Sequence, residues 1–268
     1  MSIIIHSLTA SHIDSKARPN LFLKMLDSLV ANKIQFINVS MSFHSKFSLD
    51  EKDAMVKYLN KKINLVKINN PESEINIYYH FDKSMTQFEH LQYLYDINED
   101  INSKYTLEAN HYVLFMDDDD LLLRLPKRLS QHSIIVGMQY CPASSSSYDK
   151  TENMSREEII KIEPEYKDIW KAWDDFSGYM CKIKYIVNYF TRIRHLALVN
   201  LDKMKIEKHE KSERCHALFN SLEDIDFMEY LDKMNSYKPE PFIFHRIWSA
   251  DDLPYKTWRQ RLVSNRIT

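Results

Sequence analysis

Residues 112–125 read YVLFMDDDDLLLRL. An apolar run leads without a break into Asp117, Asp118, Asp119 and Asp120, and apolar residues resume at Leu121. Adjacent carboxylates repel one another, and burying them unpaired is costly. A bound cation is the simplest partner that makes such a cluster favourable. Oxygen ligands at this density suit Mg²⁺ or Mn²⁺, which keep coordination positions open for phosphate oxygens. An ion held between a protein and a diphosphate neutralises the charge that builds on a leaving group. The competing reading is a solvated acidic turn that caps a helix behind it. The lack of any loop before the run, and LLLRL after it, leave little room to turn the carboxylates into solvent.

The elements that must hold this run alternate along the first half of the sequence. SIIIHSL reads as a short buried strand, followed by a polar loop. In PNLFLKMLDSLVAN, Phe22, Met25, Leu26, Leu29 and Val30 recur at helical spacing behind Pro19. IQFINVSMSF predicts a second strand, LDEKDAMVKYLNKK a second helix and EINIYYHF a third strand. MTQFEHLQYLYDINED predicts a third helix, with Phe88, Leu91 and Leu94 or Tyr95 facing inward, and HYVLFM predicts the fourth strand. Strands separated by helical patterns of this length imply an α/β fold, with a mostly parallel central sheet and helices on both faces. Ligands of such sheets bind at the carboxyl ends of the strands. The aspartates sit at one of those ends.

In the second half, IIVGMQYC predicts another strand, and the polar stretch CPASSSSYDKTENMSREE predicts an exposed loop, mobile from Ala143 to Ser155. SLEDIDFMEYLDKM predicts a helix whose Ser221 and Asp224 have the S-x-x-D spacing of a capping box. FIFHRIW predicts a short strand before His245. The expected organisation is one domain over 1–268, in which residues 139–268 cover the strand ends of residues 1–138.

Composition narrows the function classes. The net charge of −2 gives no ground for binding nucleic acid or an anionic membrane. The three cysteines, Cys141, Cys181 and Cys215, are odd in number and lack CxxC spacing, which argues against a disulfide framework or a cysteine zinc site. With two glycines in 268 residues, P-loop and GxGxxG phosphate cradles are excluded. MSIIIHSLTASHID lacks the basic leader of a signal peptide, and no segment is long enough to span a bilayer. The expectation is a cytoplasmic protein with at most peripheral membrane contact.

Strand–helix alternation ending in an apolar strand and D-x-D-D resembles the nucleotide-sugar-dependent glycosyltransferases of the GT-A fold, family 2 in particular. The resemblance covers roughly Ser2 to Met138, the Glu223 region and His245. It implies a nucleotide-sugar site in which Asp117, with Asp118 beside it, lies near the ribose. Asp119 then binds the Mn²⁺ or Mg²⁺ that holds the diphosphate, with Asp117 and His245 completing the metal site. SLTAS falls where the family contacts base and ribose, which makes Thr9 a candidate. After the second strand the family often has D-x-S-x-D; here VSMSFHS puts Ser40 or Ser42 in that place. Inverting members carry an E-D pair at a helix start, matched by Glu223 and Asp224 in SLEDIDFMEYL, with the carboxylate as catalytic base. A helix N-terminus favours the ionised carboxylate, and the capping role of Asp224 stands beside the catalytic one.

The resemblance therefore implies an inverting, metal-dependent glycosyltransferase, with a nucleotide-diphosphate sugar as donor and a glycan, lipid-linked or protein acceptor. Gly178 in DDFSGYM then suits an acceptor loop or an ordinary turn. Trp170, Trp173, Phe176 and Tyr179 suit a core as well as a sugar-stacking face. A sugar nucleotidyltransferase would share the sheet and the aspartates, but usually needs the glycine-rich loop that SLTASHIDSKARP lacks. A non-catalytic carbohydrate-binding protein on the same scaffold is the alternative from another class.

Overall fold

The computed structural model describes residues 3–85, 87–98, 101, 110–135, 139–140, 154–162, 178–191 and 242–244, with residues 234, 237 and 239. At its centre lies β1 (Ile4–Ile13), parallel to β2 (Phe36–Phe43) on one side and to β4 (His111–Asp117) on the other. β3 (Glu74–His80) extends the sheet in parallel beyond β2. On the far side, β8 (Met180–Lys182) runs antiparallel to β4, and β6 (Ile134–Ile135) antiparallel to β8. The strand order is β3-β2-β1-β4-β8-β6. The fold is α/β, with a mixed sheet of mostly parallel strands.

Alternation along β4 divides the core between the two faces. Tyr112, Leu114 and Met116 pack with α1 (Arg18–Ala31) and α2 (Leu49–Asn69). Val113 and Phe115 pack with α3 (Gln87–Ile97) and with helical residues 183–191, here α5. Period-2 side chains buried on both faces are what a sheet flanked by helices requires. The periodic residues of α1, from Phe22 to Val30, are buried as their spacing predicts. In α3, Leu91, Leu94 and Tyr95 face the core. α2 is fixed at its start by a reciprocal Ser48–Glu51 capping box and runs seven residues beyond Lys62, the last residue of the predicted helix, to Asn69.

Three sequence expectations need correction. β1 does not end at Leu8 but continues through the expected polar loop to Ile13, because β4 pairs with it through Ala10 and β2 pairs with it through Ile13. IIVGMQYC is not one strand: Ile134–Ile135 join the main sheet, whereas β7 (Gln139–Tyr140) pairs with β9 (Ile243–Phe244) in a small second sheet that also holds β5 (Leu121–Leu122). The serine-rich stretch ends in α4 (Arg156–Ile162), started by reciprocal hydrogen bonds between Ser155 and Glu158 and anchored by buried Ile159. Its residues 143–153 lie outside the described ones. Among the described residues, no helix is long and apolar enough to cross a membrane.

Candidate functional site

From β1 the sheet grows through β2 to β3 in one direction, while β4 lies on the other side of β1. The carboxyl ends of β1 and β4 therefore flank a topological switch point, where ligands of open α/β sheets bind. β4 brings the aspartates to this crevice. The alternation that splits the core also splits them. Asp117 ends the side of β4 that faces α3, and Gln87 Nε2 donates to its Oδ1 at 3.2 Å. Asp118, one residue on, turns to the α1 face.

There it meets Arg18, the first residue of α1. Arg18 Nη2 lies 2.6 Å from Asp118 Oδ1, and Arg18 Nε donates to Asp118 Oδ2 at 3.3 Å. The same guanidinium reaches Asp119 Oδ2 through Nη1 at 2.7 Å. Ser11, near the end of β1, donates to Asp118 Oδ2 at 2.6 Å. A planar fork of donors suits two carboxylates in a way a lysine would not. The counter-charge that the sequence assigned to a bound ion is thus, for Asp118 and Asp119, an internal arginine. Burial works against the Arg18 charge, but the two carboxylates overcome it and hold its pKa above the ordinary value. Burial pushes the Asp118 carboxyl up to about 6, against the pull of Arg18.

The turn is clamped from both sides. Behind the aspartates, Ser28 of α1 and Asn32, the residue that caps its end, hold the backbone of Leu122, through Leu122 N–H to Ser28 Oγ at 3.0 Å and Asn32 Nδ2 to the Leu122 carbonyl at 2.8 Å. Arg156 of α4 donates to the Leu123 carbonyl at 2.6 and 2.9 Å. Ahead of them, Gly178 donates to the Phe115 carbonyl at 2.7 Å in a left-handed conformation, φ 83°, that favours glycine. Tyr179 is core. Trp170, Trp173 and Phe176 lie outside the described residues.

The other expected site residues fall differently. Thr9 is fully buried within β1, and its hydroxyl lacks a hydrogen-bond partner. Ser40 is also fully buried, with its hydroxyl between His80 and His90. Glu223, Asp224 and His245 lie outside the described residues. Sequence reading missed Arg18, Ser11 and Gln87. The available signal was the lone arginine of SKARPN, set beside the proline that starts α1.

A divalent cation at this edge fits the donor set in kind. Asp117 and Asp119 offer hard oxygens, and Asp14 Oδ1, in the loop after β1, is buried without a hydrogen-bond partner. Among the described residues, no three His, Cys, Asp or Glu side chains already converge as a cation site. A bound ion would share Asp119 with Arg18 or displace it. No protein-family model matches this sequence, and no curated protein matches it.

Two buried imidazoles give the protein a pH dependence. Burial pushes His90 down to about 3, helped by His80 and His12, and His6 down to about 4, helped by His111. Both are neutral when folded, while the unfolded chain protonates them near 6.5. The unfolded state then binds more protons below that pH, so stability is full above it and falls as pH drops towards 4. From pH 7 to 5 the two imidazoles together should cost about 3–4 kcal/mol, and Asp118, whose raised pKa works in the opposite sense, should offset part of that. Urea titrations at the two pH values should show a net loss at pH 5, and His90→Gln should reduce the difference. Equal stability at both would contradict the burial of these rings.

Proposed function

We propose that this protein is a glycosyltransferase of GT-A type that moves a sugar from a nucleotide-diphosphate donor to an acceptor hydroxyl. The observation that carries the reading is the aspartate turn at the carboxyl end of β4, beside the switch point next to β1. Supporting it are an α/β sheet with helices on both faces and an arginine poised within the carboxylate cluster.

In this reading Asp117 and Asp119 would hold a divalent cation, with His245 the third ligand that the resemblance implies. The cation, when bound, supplies positive charge to the diphosphate leaving group. Asp118 keeps Arg18 and Ser11 in place and so fixes the shape of the turn. Asp224 accepts the proton of the acceptor hydroxyl. The hydroxyl oxygen forms its bond to the anomeric carbon as the bond from that carbon to the diphosphate oxygen breaks, and the electron pair leaves with the diphosphate. Attack from the opposite side inverts the anomeric centre.

A panel of UDP-, GDP-, CMP- and dTDP-linked sugars with Mn²⁺ tests the reading by thermal shift. A true donor at a hundredfold excess over its dissociation constant should stabilise the fold by about 2.7 kcal/mol. Calorimetry of the matching nucleoside diphosphate should show binding with Mn²⁺ and its loss in EDTA. Binding of equal strength in both would remove the metal from the reading. It would favour a second one, a nucleotide-sugar-binding protein in which Arg18 is the permanent counter-ion of Asp118 and Asp119.

A further inference from the structure

The outer face of α2 is not the polar face that a surface helix ordinarily shows to water. Its inner face packs into the core through Leu59 and Ile63. On the opposite side Leu65 is 52% exposed and Ile68 73%, with Tyr58 at 42% beside them. Lys57, Lys61, Leu65 and Ile68 follow one another at steps of four, four and three. They therefore form one stripe roughly 16 Å long down the helix.

Charge is segregated along the same helix. Asp50, Glu51 and Asp53 lie at its start, and no acidic residue occurs from Ala54 to Pro71. Lys57, Lys61, Lys62 and Lys67 are all exposed, and none forms an ion pair among the described residues. The helix dipole favours a cation in the last turn, which accounts for Lys67. It accounts for neither the other lysines nor the two aliphatic side chains held in water. The net charge of the whole chain, −2, conceals this local excess.

The chemistry of the stripe selects its occupant. An exposed aliphatic pair among uncompensated lysines matches the boundary of an anionic bilayer. There the ammonium groups meet headgroups, and the aliphatic side chains enter the acyl edge. Nucleic acid would use the lysines but offers nothing to Leu65 and Ile68. A second copy of the chain would set the same positive patch against itself, since a twofold contact brings like surfaces together. The groove between α1 and α2 alongside, about 450 Å³, carries Asp27 with Leu23 and Val66. Its carboxylate makes the groove a poorer match to headgroups than the stripe.

We propose that the outer stripe of α2 (Lys57, Lys61, Leu65 and Ile68, with Lys62 and Lys67 beside it) docks this protein on an anionic membrane surface. α2 leaves β2 at its carboxyl end and returns to the start of β3, so its basic half lies away from the aspartate turn. Docking there needs neither donor nor acceptor and is independent of the sugar-transfer reading.

Flotation of the full chain with lipid vesicles tests it. Vesicles containing about one-third phosphatidylserine should carry the protein, pure phosphatidylcholine should not, and added salt should weaken the binding. Lys57→Gln with Lys61→Gln should weaken it roughly 25-fold, about fivefold for each lysine at the surface. Leu65→Ser with Ile68→Ser should weaken it on the order of tenfold. The melting temperature should hold in both variants, because the altered side chains already stand in water. Binding to neither kind of vesicle, or to both alike, would overturn the proposal. Undiminished binding by either double variant would overturn it too, by placing the contact elsewhere. A dimer in sedimentation that Ile68→Ser disperses would show that a second copy covers the stripe, and would equally overturn it.

Discussion

Arg18→Ala should lower the stability of the folded protein by about 3 kcal/mol, the low end of the cost of removing one partner from a buried ion pair. Two carboxylates, 2% and 8% exposed at their side chains, share this guanidinium, whose own side chain is 18% exposed. The low end is appropriate because that remaining exposure lets water reach part of the gap. For a protein of this size the loss corresponds to a melting temperature lower by on the order of 10 °C. The cost should arise from the carboxylates left behind rather than from lost packing. Arg18→Ala combined with Asp118→Asn should therefore recover part of it, as coupled sites do. Mn²⁺ should stabilise the Arg18→Ala variant more than the unaltered protein, because the ion no longer competes with the arginine for Asp119. A melting temperature within a degree or two of the unaltered protein would show that Arg18 is not the counter-charge of the cluster. A metal response equal in both proteins would remove the competition between arginine and ion.

What the sequence disclosed follows from the range of the interactions involved. The α1 core positions were legible because Phe22, Met25, Leu26, Leu29 and Val30 answer to one local period and one burial requirement. The end of β4 was legible for the same reason, with an apolar strand stopping abruptly at a charge. Arg18 was not, since its partners lie 100 and 101 residues away and nothing in SKARPN points to them. The true end of β1 was hidden too. Thr9, Ser11 and His12 look like loop residues, yet Ser11 and His12 find their partners on other segments, Asp118 and Ser42. The buried cluster of serines and histidines around His90 shares that obscurity. Ser40, Ser42, His80 and His90 belong to three elements, and their row exists only once β2, β3 and α3 are side by side. Even the identity of the counter-ion was a long-range property: local chemistry demanded a cation, and the fold supplied part of it from α1.

Asp224→Asn should slow sugar transfer by about 10²–10⁴-fold, the range for a positioned general base, while leaving donor affinity nearly unchanged. The expectation rests on the E-D pair of SLEDIDFMEYL and its place after the aspartate run. Asparagine keeps the size of the side chain and caps a helix as well as aspartate does. It cannot take a proton from an acceptor hydroxyl. A base contacts the acceptor and not the diphosphate, so calorimetry of nucleoside diphosphate with Mn²⁺ should give the same affinity for both proteins. Asp119→Asn should do the reverse, weakening that affinity. A capping role alone predicts another pattern, near-normal turnover with a stability change of no more than about 1 kcal/mol. The deciding measurement is therefore made twice on one variant, as transfer rate and as melting temperature. A variant that melts early but transfers normally would reduce Asp224 to a helix cap. The stereochemistry of the product gives an independent check, because a base acting on an in-line attack produces inversion. A product of retained configuration would exclude single-step transfer from the nucleotide-sugar, whatever the rate of the variant.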